Sequence, residues 1–154
     1  MGLEARGRAG RETEDRTGLE LGAEDRRAIA ETLAWHGHLF DQGQLDRLEE
    51  IFTPDVVYDL SAAGVGVFAG IEAIRNGARK LGAGNPIAHH VTNVVITGAH
   101  GDEVTAQSKG LMIMADGTIG SVTHLDTLRR QGSGWRISHR VIRPQRAPLG
   151  GEVS

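Results

Sequence analysis

The side chains whose setting best suits moving a proton lie far apart along this sequence. Asp41 closes a stripe of small residues, Ala30, Ala34 and Gly37, set at helical spacing. The stripe lets another element come close or leaves a void, and the Asp41 carboxylate would overhang it. A helix C-terminus disfavours an acid, so Asp41 is either solvated or functional. His89 and His90 are adjacent on a run rich in Val, Ile and Thr, so they point to opposite sides of a strand. His90 shares parity with Val94 and Ile96 and is the histidine expected to face the helices. A histidine close to a buried carboxylate is a different object from a lone core histidine, because each shifts the proton affinity of the other. Tyr58, the only tyrosine, could donate to a developing oxyanion or simply pack.

His124 and Asp126 alternate with Val122 and Leu128, so the four share one strand face. An apolar face interrupted by His and Asp reads as a wet pocket or as a solvent face. A slip of one residue exchanges the two. Asp116-Gly117 is a two-residue hairpin signal, and taken as the loop it sets His124 opposite Lys109, Asp126 opposite Gln107 and Val122 opposite Leu111. Metal binding is not expected. His36 and His38 are two apart on a helix and do not share a face, and no His-x-x-x-His helix motif with an adjacent Glu is present. Phosphate loops, dinucleotide fingerprints and nucleophile elbows are also missing.

The elements that must carry these groups form an α+β pattern. A helix is expected from Ala23 to Asp41, with Ile29, Leu33, His36 and Phe40 on one stripe. A short helix carries Leu45, Leu48, Ile51 and Phe52, and Pro54-Asp55 ends it before a strand over Val56 to Leu60. A third helix follows Gly70. Four strands then run antiparallel from Ile87 to Arg143, separated by glycine-containing turns. Three helices on one face of a curved antiparallel sheet would make a cone with an internal pocket.

Composition narrows the partners. The 154 residues carry 17 basic and 20 acidic side chains, so the basic surface of a nucleic-acid binder is lacking. No apolar run approaches a membrane span and no secretory signal is evident, which gives a cytoplasmic expectation. The absence of cysteine excludes disulfides, thiolate catalysis and Cys-based metal centres. Residues 1–22 are charged and nearly devoid of large apolar side chains, and read as a flexible tail; 147–154 read as a second tail. Apolar residues fall on both faces of the sheet, so a homodimer or higher homo-oligomer is expected.

Phe40 to Tyr58 reads Phe-Asp-Gln-Gly-Gln-Leu-Asp-Arg-Leu-Glu-Glu-Ile-Phe-Thr-Pro-Asp-Val-Val-Tyr. Gly70-Ile71, Ala73-Ile74-Arg75, His89-His90-Val91-Thr92-Asn93, Gly134-Trp135-Arg136-Ile137 and Arg140 follow. In this order and spacing, over residues 23–146, the sequence resembles the SnoaL-like branch of the nuclear-transport-factor-2-like superfamily. The resemblance implies the same cone, often dimeric. It spans scytalone dehydratase, ketosteroid isomerase, limonene epoxide hydrolase and small polyketide cyclases, and also non-catalytic subunits of ring-hydroxylating dioxygenases. Against scytalone dehydratase, the pocket acid falls at Asp41, a pocket histidine at His90 and a ligand-binding asparagine near His124. Phe40 replaces the tyrosine before the acid, and the other tyrosine falls at Leu60 rather than Tyr58.

The resulting expectation is a cofactor-independent dehydratase, isomerase or cyclase acting on a small apolar cyclic substrate. Asp41 and His90 would exchange the proton, while His124, Tyr58, Phe40, Val122 and Asp126 would line the substrate site. The alternative is a non-catalytic ligand-binding or subunit-like protein of the same fold.

Overall fold

The computed structural model describes residues 21–151; the sequence-based tail over 1–22 lies outside them but for its last two residues. Helix α1 spans Ala23–Asp41 and α2 spans Ile71–Leu81, with a 3-10 helix over Leu45–Glu50 between them. The second expected helix is thus this 3-10 segment, too short to close more than a few turns. Six strands follow the order β2-β1-β6-β5-β4-β3. They are β1 (Phe52–Leu60), β2 (Gly66–Ala69), β3 (Ala88–His100), β4 (Glu103–Ile113), β5 (Ile119–Gln131) and β6 (Gly134–Pro144).

The architecture is α+β, three helical segments against a curved, open sheet. All strand pairs are antiparallel except β1 with β6, which are parallel. Pro54 and Asp55 do not end a helix. They sit where the β1–β6 register shifts between Phe52 and Val57, since a proline cannot donate to a ladder and is tolerated at such an irregularity. Strand β2 carries only four residues around Val67 and Phe68, too few for a periodic signal, and was not expected. Of the expected C-terminal tail, Pro148–Gly151 forms a 3-10 turn with no buried residue. No described helix is long and apolar enough to cross a membrane.

The core lies between α1 and the sheet. Ile29, Leu33 and Leu39 of α1 are buried against Phe52, Val56, Leu128, Trp135 and Ile137. Polar contacts set the helix's position. Thr32 Oγ1 donates to the Trp135 carbonyl at 3.0 Å, and Trp135 Nε1 donates to Asp25 at 3.0 Å. Arg130 pairs with Asp25 at 3.1 Å and lies over the Trp135 ring, 4.5 Å from its centroid. The guanidinium and the indole N–H together hold the Asp25 carboxyl below its usual range. Arg75 of α2 reaches the Leu45 carbonyl at 2.8 Å and Glu49 at 2.7 Å, tying α2 to the 3-10 helix.

At its C-terminal half α1 crosses β3 with no space to spare. A Cβ added at Gly37 would lie 2.5 Å from the His89 carbonyl oxygen. In an open helix Gly→Ala stabilises by about 1 kcal/mol. Here the clash is with backbone, and overpacking of about 1–3 kcal/mol should win. Gly37→Ala is expected to lower stability in urea unfolding and to widen the contact between α1 and β3.

Candidate functional site

The concave face of the sheet presents one polar row. Ala106, Asp126, Arg140 and Tyr58 are register partners in turn across β4, β5, β6 and β1. The next row holds Ser108, His124 and Ile142. Helix α1 lowers His36 onto these rows, and His89 of β3 closes the rim.

The hairpin differs from expectation by one residue. Its loop is Ala115–Gly117, with Met114 N donating to Thr118 O at 2.9 Å. Only Gly117 takes positive φ, +86°, whereas a two-residue type I′ turn needs two such residues. Asp116 instead accepts from Thr118 N at 3.0 Å and Thr118 Oγ1 at 2.7 Å. His124 therefore faces Ser108 rather than Lys109, Asp126 faces Ala106 rather than Gln107, and Val122 faces Gly110 rather than Leu111. These small partners make room for the β5 side chains. A Cβ at Gly110 would lie 2.6 Å from His124 Cε1 and 2.7 Å from Val122 Cγ2. Val122, His124 and Asp126 are all buried, which identifies their face as the interior one.

The Asp41–His90 pair is corrected to Asp41–His89. His90 is exposed on the convex face. The cause is Asn93, at φ +56°, where the β3–β4 register shifts between Thr92 and Val95. A bulge inserts a residue and reverses parity, so His89 and Val91 share the inner face with Val94 and Ile96. Both oxygens of Asp41 serve His89. Its backbone N–H donates to Oδ2 at 2.9 Å, and Nδ1 lies 2.6 Å from Oδ1. An Nδ1–H donated to this carboxylate leaves the Nε2 lone pair free, the arrangement of an oriented base.

Deeper in, Arg140 and Asp126 form a fully buried bidentate pair, at 2.7 and 2.9 Å. Asp126 is thus occupied with Arg140 and does not present a free carboxylate to a substrate. Tyr58 OH lies 3.0 Å from His36 Nε2. Phe40 stacks on His36 with centroids 4.5 Å apart, and the His89 and His124 rings lie 5.7 and 6.4 Å from it. His124 Nδ1 is 3.2 Å from Ser108 Oγ. Two buried nitrogens, His36 Nδ1 and Arg140 Nη1, have no hydrogen-bond partner among the described residues. Phe40 and Asp41 also line an open groove of about 360 Å³ with Leu45, Asn85, Pro86 and Ile87.

Electrostatics sorts these groups. Burial, then the Arg140 charge, holds His36 well below the usual histidine range. The same causes in the same order bring His124 down to about 2. Both rings are neutral at physiological pH. Burial pushes the Tyr58 phenol up, with Arg140 opposing and Asp126 adding. Burial acts against the Arg140 charge, but Asp126 and Tyr58 outweigh it and the net shift is upward. Arg140 is therefore a fixed cation beside a phenol in a low-dielectric interior.

Sequence reasoning did not assign His36, His89 or Arg140 to the site. His36 was legible on the apolar stripe of Ile29, Leu33 and Phe40, where a histidine interrupts a core face. Arg140 lay in plain sight on β6, but only pairing with β5 and β1 places it between Asp126 and Tyr58.

The SnoaL-like domain family matches residues 22–141. The chain belongs to that family. Solved structures agree with the assignment. A candidate aromatic ring hydroxylase from Novosphingobium aromaticivorans is 27% identical, with a TM-score of 0.72, over 83% of this chain and 94% of that one. A nuclear-transport-factor-2-like protein with a cystatin-like fold, from the same organism, is 29% identical with a TM-score of 0.66, over 82% and 85% of the two chains. A candidate scytalone dehydratase, again from that organism, is 19% identical with a TM-score of 0.68, over 80% and 85%, and shows the shared fold alone. No curated protein matches the sequence. This SnoaL-like chain thus keeps the family's fold around a cluster of three histidines, a tyrosine and a buried Arg–Asp pair.

The two neutral histidines set a pH dependence. In the unfolded chain each protonates near pH 6.5, while in the folded chain both stay neutral below that value. The unfolded state then binds more protons, so stability falls as pH falls below 6.5. The slope reaches up to about 1.4 kcal/mol per pH unit for each histidine. Urea unfolding between roughly pH 7.5 and pH 5, above the carboxylate range, should show this slope. His36→Gln should remove about half of it.

Proposed function

We propose that this SnoaL-like protein is a cofactor-independent acid/base enzyme of the dehydratase, isomerase or cyclase type. Its substrate is a small, largely apolar cyclic molecule with a carbonyl group. The observation that carries the proposal is the double hydrogen bond from His89 to Asp41, which fixes one tautomer and leaves Nε2 free. His89 takes the proton beside the carbonyl, with Asp41 supporting the imidazolium that forms. The oxygen of the resulting enolate is stabilised by Arg140 and the Tyr58 hydroxyl. Asp126 positions Arg140. Phe40, Val122 and the neutral His124 shape the substrate site. The chemistry as written calls for no cofactor, and the cytoplasm is the proposed location.

The subunit-like alternative draws on one observation. Phe40, stacked on His36, stands between the open groove and the buried cluster. Assembly as a symmetric dimer through the convex sheet face fits either case. There Val95, Leu111 and Ile119 are 58%, 37% and 65% exposed, and Val95 lies in one cross-strand row with Leu125 and Val141. Light scattering at micromolar concentration should give the dimer mass; a monomer mass removes this part of the proposal.

The catalytic part is testable before the natural substrate is known. With 2-tetralone in D2O, the protein should speed deuterium exchange at the carbon beside the carbonyl, followed by NMR. His89→Gln should cut the enzymatic exchange by about 10²–10⁴-fold. Asp41→Asn should cut it substantially while leaving the melting curve close to that of the parent. Tetralone binding without exchange above buffer would favour the non-catalytic alternative.

A further inference from the structure

We infer that the outer wall of α1 carries a second binding site, for a planar aromatic molecule with an acceptor oxygen at its edge. His36 points into the cone, and Trp35, its neighbour in sequence, points away from it. Trp35 is 44% exposed, an unusual position for so large an apolar ring. It lines a groove of about 390 Å³ between α1 and the 3-10 helix, together with Glu31, Ala34, His38, Gln42, Gln44 and Arg47.

Two features make this groove a built site. The first is aromatic. His38 stands edge-on to Trp35 at 5.5 Å, and the Arg47 guanidinium lies 5.3 Å from the indole centroid. The guanidinium is held there by Glu50, through Nε at 2.7 Å and Nη2 at 2.8 Å, and by Gln44 Oε1 at 2.8 Å. Such a fixed plane offers stacking at little ordering cost. The second is a surplus of donors. Arg carries five N–H groups, and those three bonds leave two unassigned; the Gln42 and Gln44 amides add more. Glu50 is engaged by Arg47, while Glu31, at the groove's edge, lies 3.6 Å from Arg27 and points its exposed carboxylate to solvent. A ligand that stacks on Trp35 and brings an acceptor oxygen complements both features.

The test uses sodium 2-naphthoate as the probe and the two tryptophan indole N–H resonances as readouts. Trp135 is only 1% exposed and serves as an internal reference. Trp35→Phe assigns the peaks. The Trp35 resonance should shift saturably with naphthoate while that of Trp135 stays in place. Arg47→Met should weaken the apparent affinity at least about fivefold, since a charge-assisted contact is lost. Cyclohexanecarboxylate, which has the acid but no aromatic ring, should give no saturable shift. His89→Gln should leave the response unchanged, which separates this site from the proton-transfer cluster. A linear shift, equal movement of both indoles, or an equal response to cyclohexanecarboxylate overturns the inference. So does a Trp35 shift that follows protein dilution without probe, since a second copy would then occupy the groove.

Discussion

The buried pair of Arg140 and Asp126 is the constraint around which the interior is arranged. Neither side chain reaches solvent, so each can stay charged only because the other does. Removing one partner of such a pair costs about 3–5 kcal/mol, because the remaining charge is stranded. Replacing both by apolar residues of similar size is often neutral, so stability alone does not explain the pair. It fixes a cation in the centre of the sheet, next to Tyr58 and within electrostatic reach of His36 and His124. Burial keeps the two histidines neutral and the phenol protonated; the Arg140 charge adds to the first effect and opposes the second.

That interior is polar without being acidic. Among the described residues its deep carboxylate, Asp126, is engaged by Arg140, and Asp41 stands at the rim. In the mechanism proposed above these groups divide the work: His89, oriented by Asp41, is the base, and Arg140, whose Nη1 has no hydrogen-bond partner among the described residues, receives the developing negative charge. Small residues at Ala106, Ser108 and Gly110 keep the ladder open beneath the β5 side chains. Gly37 does the same for α1, and its contact with the His89 carbonyl brings Asp41, one turn later, within reach of the His89 ring.

Membership in the SnoaL-like family describes the scaffold more than the chemistry. The scaffold supplies a concave sheet face with a helix laid over it. On that face this chain sets His89, His124, Tyr58 and the Arg140–Asp126 pair, and the outer wall of α1 carries an aromatic groove. The two regions share a helix and little else, since His36 and Trp35 project from it in directions about 100° apart.

The sequence alone determined the α+β class, the family and the order of the elements other than β2, and it singled out Asp41, Tyr58, His124 and Asp126 as candidates. These follow from periodicity, breakers and motif order, which are local properties. Tertiary structure decided everything that depended on parity or on pairing. Whether His89 or His90 meets Asp41 turned on one bulge at Asn93, because each inserted residue reverses the faces of a strand. Which residues stand opposite His124 and Asp126 turned on one extra loop residue at Ala115. Arg140 entered the site because β6 pairs with β5 on one side and β1 on the other, a contact between residues 14 and 82 positions away in the chain. Strand register accumulates such single-residue decisions, and no periodicity in the sequence records them.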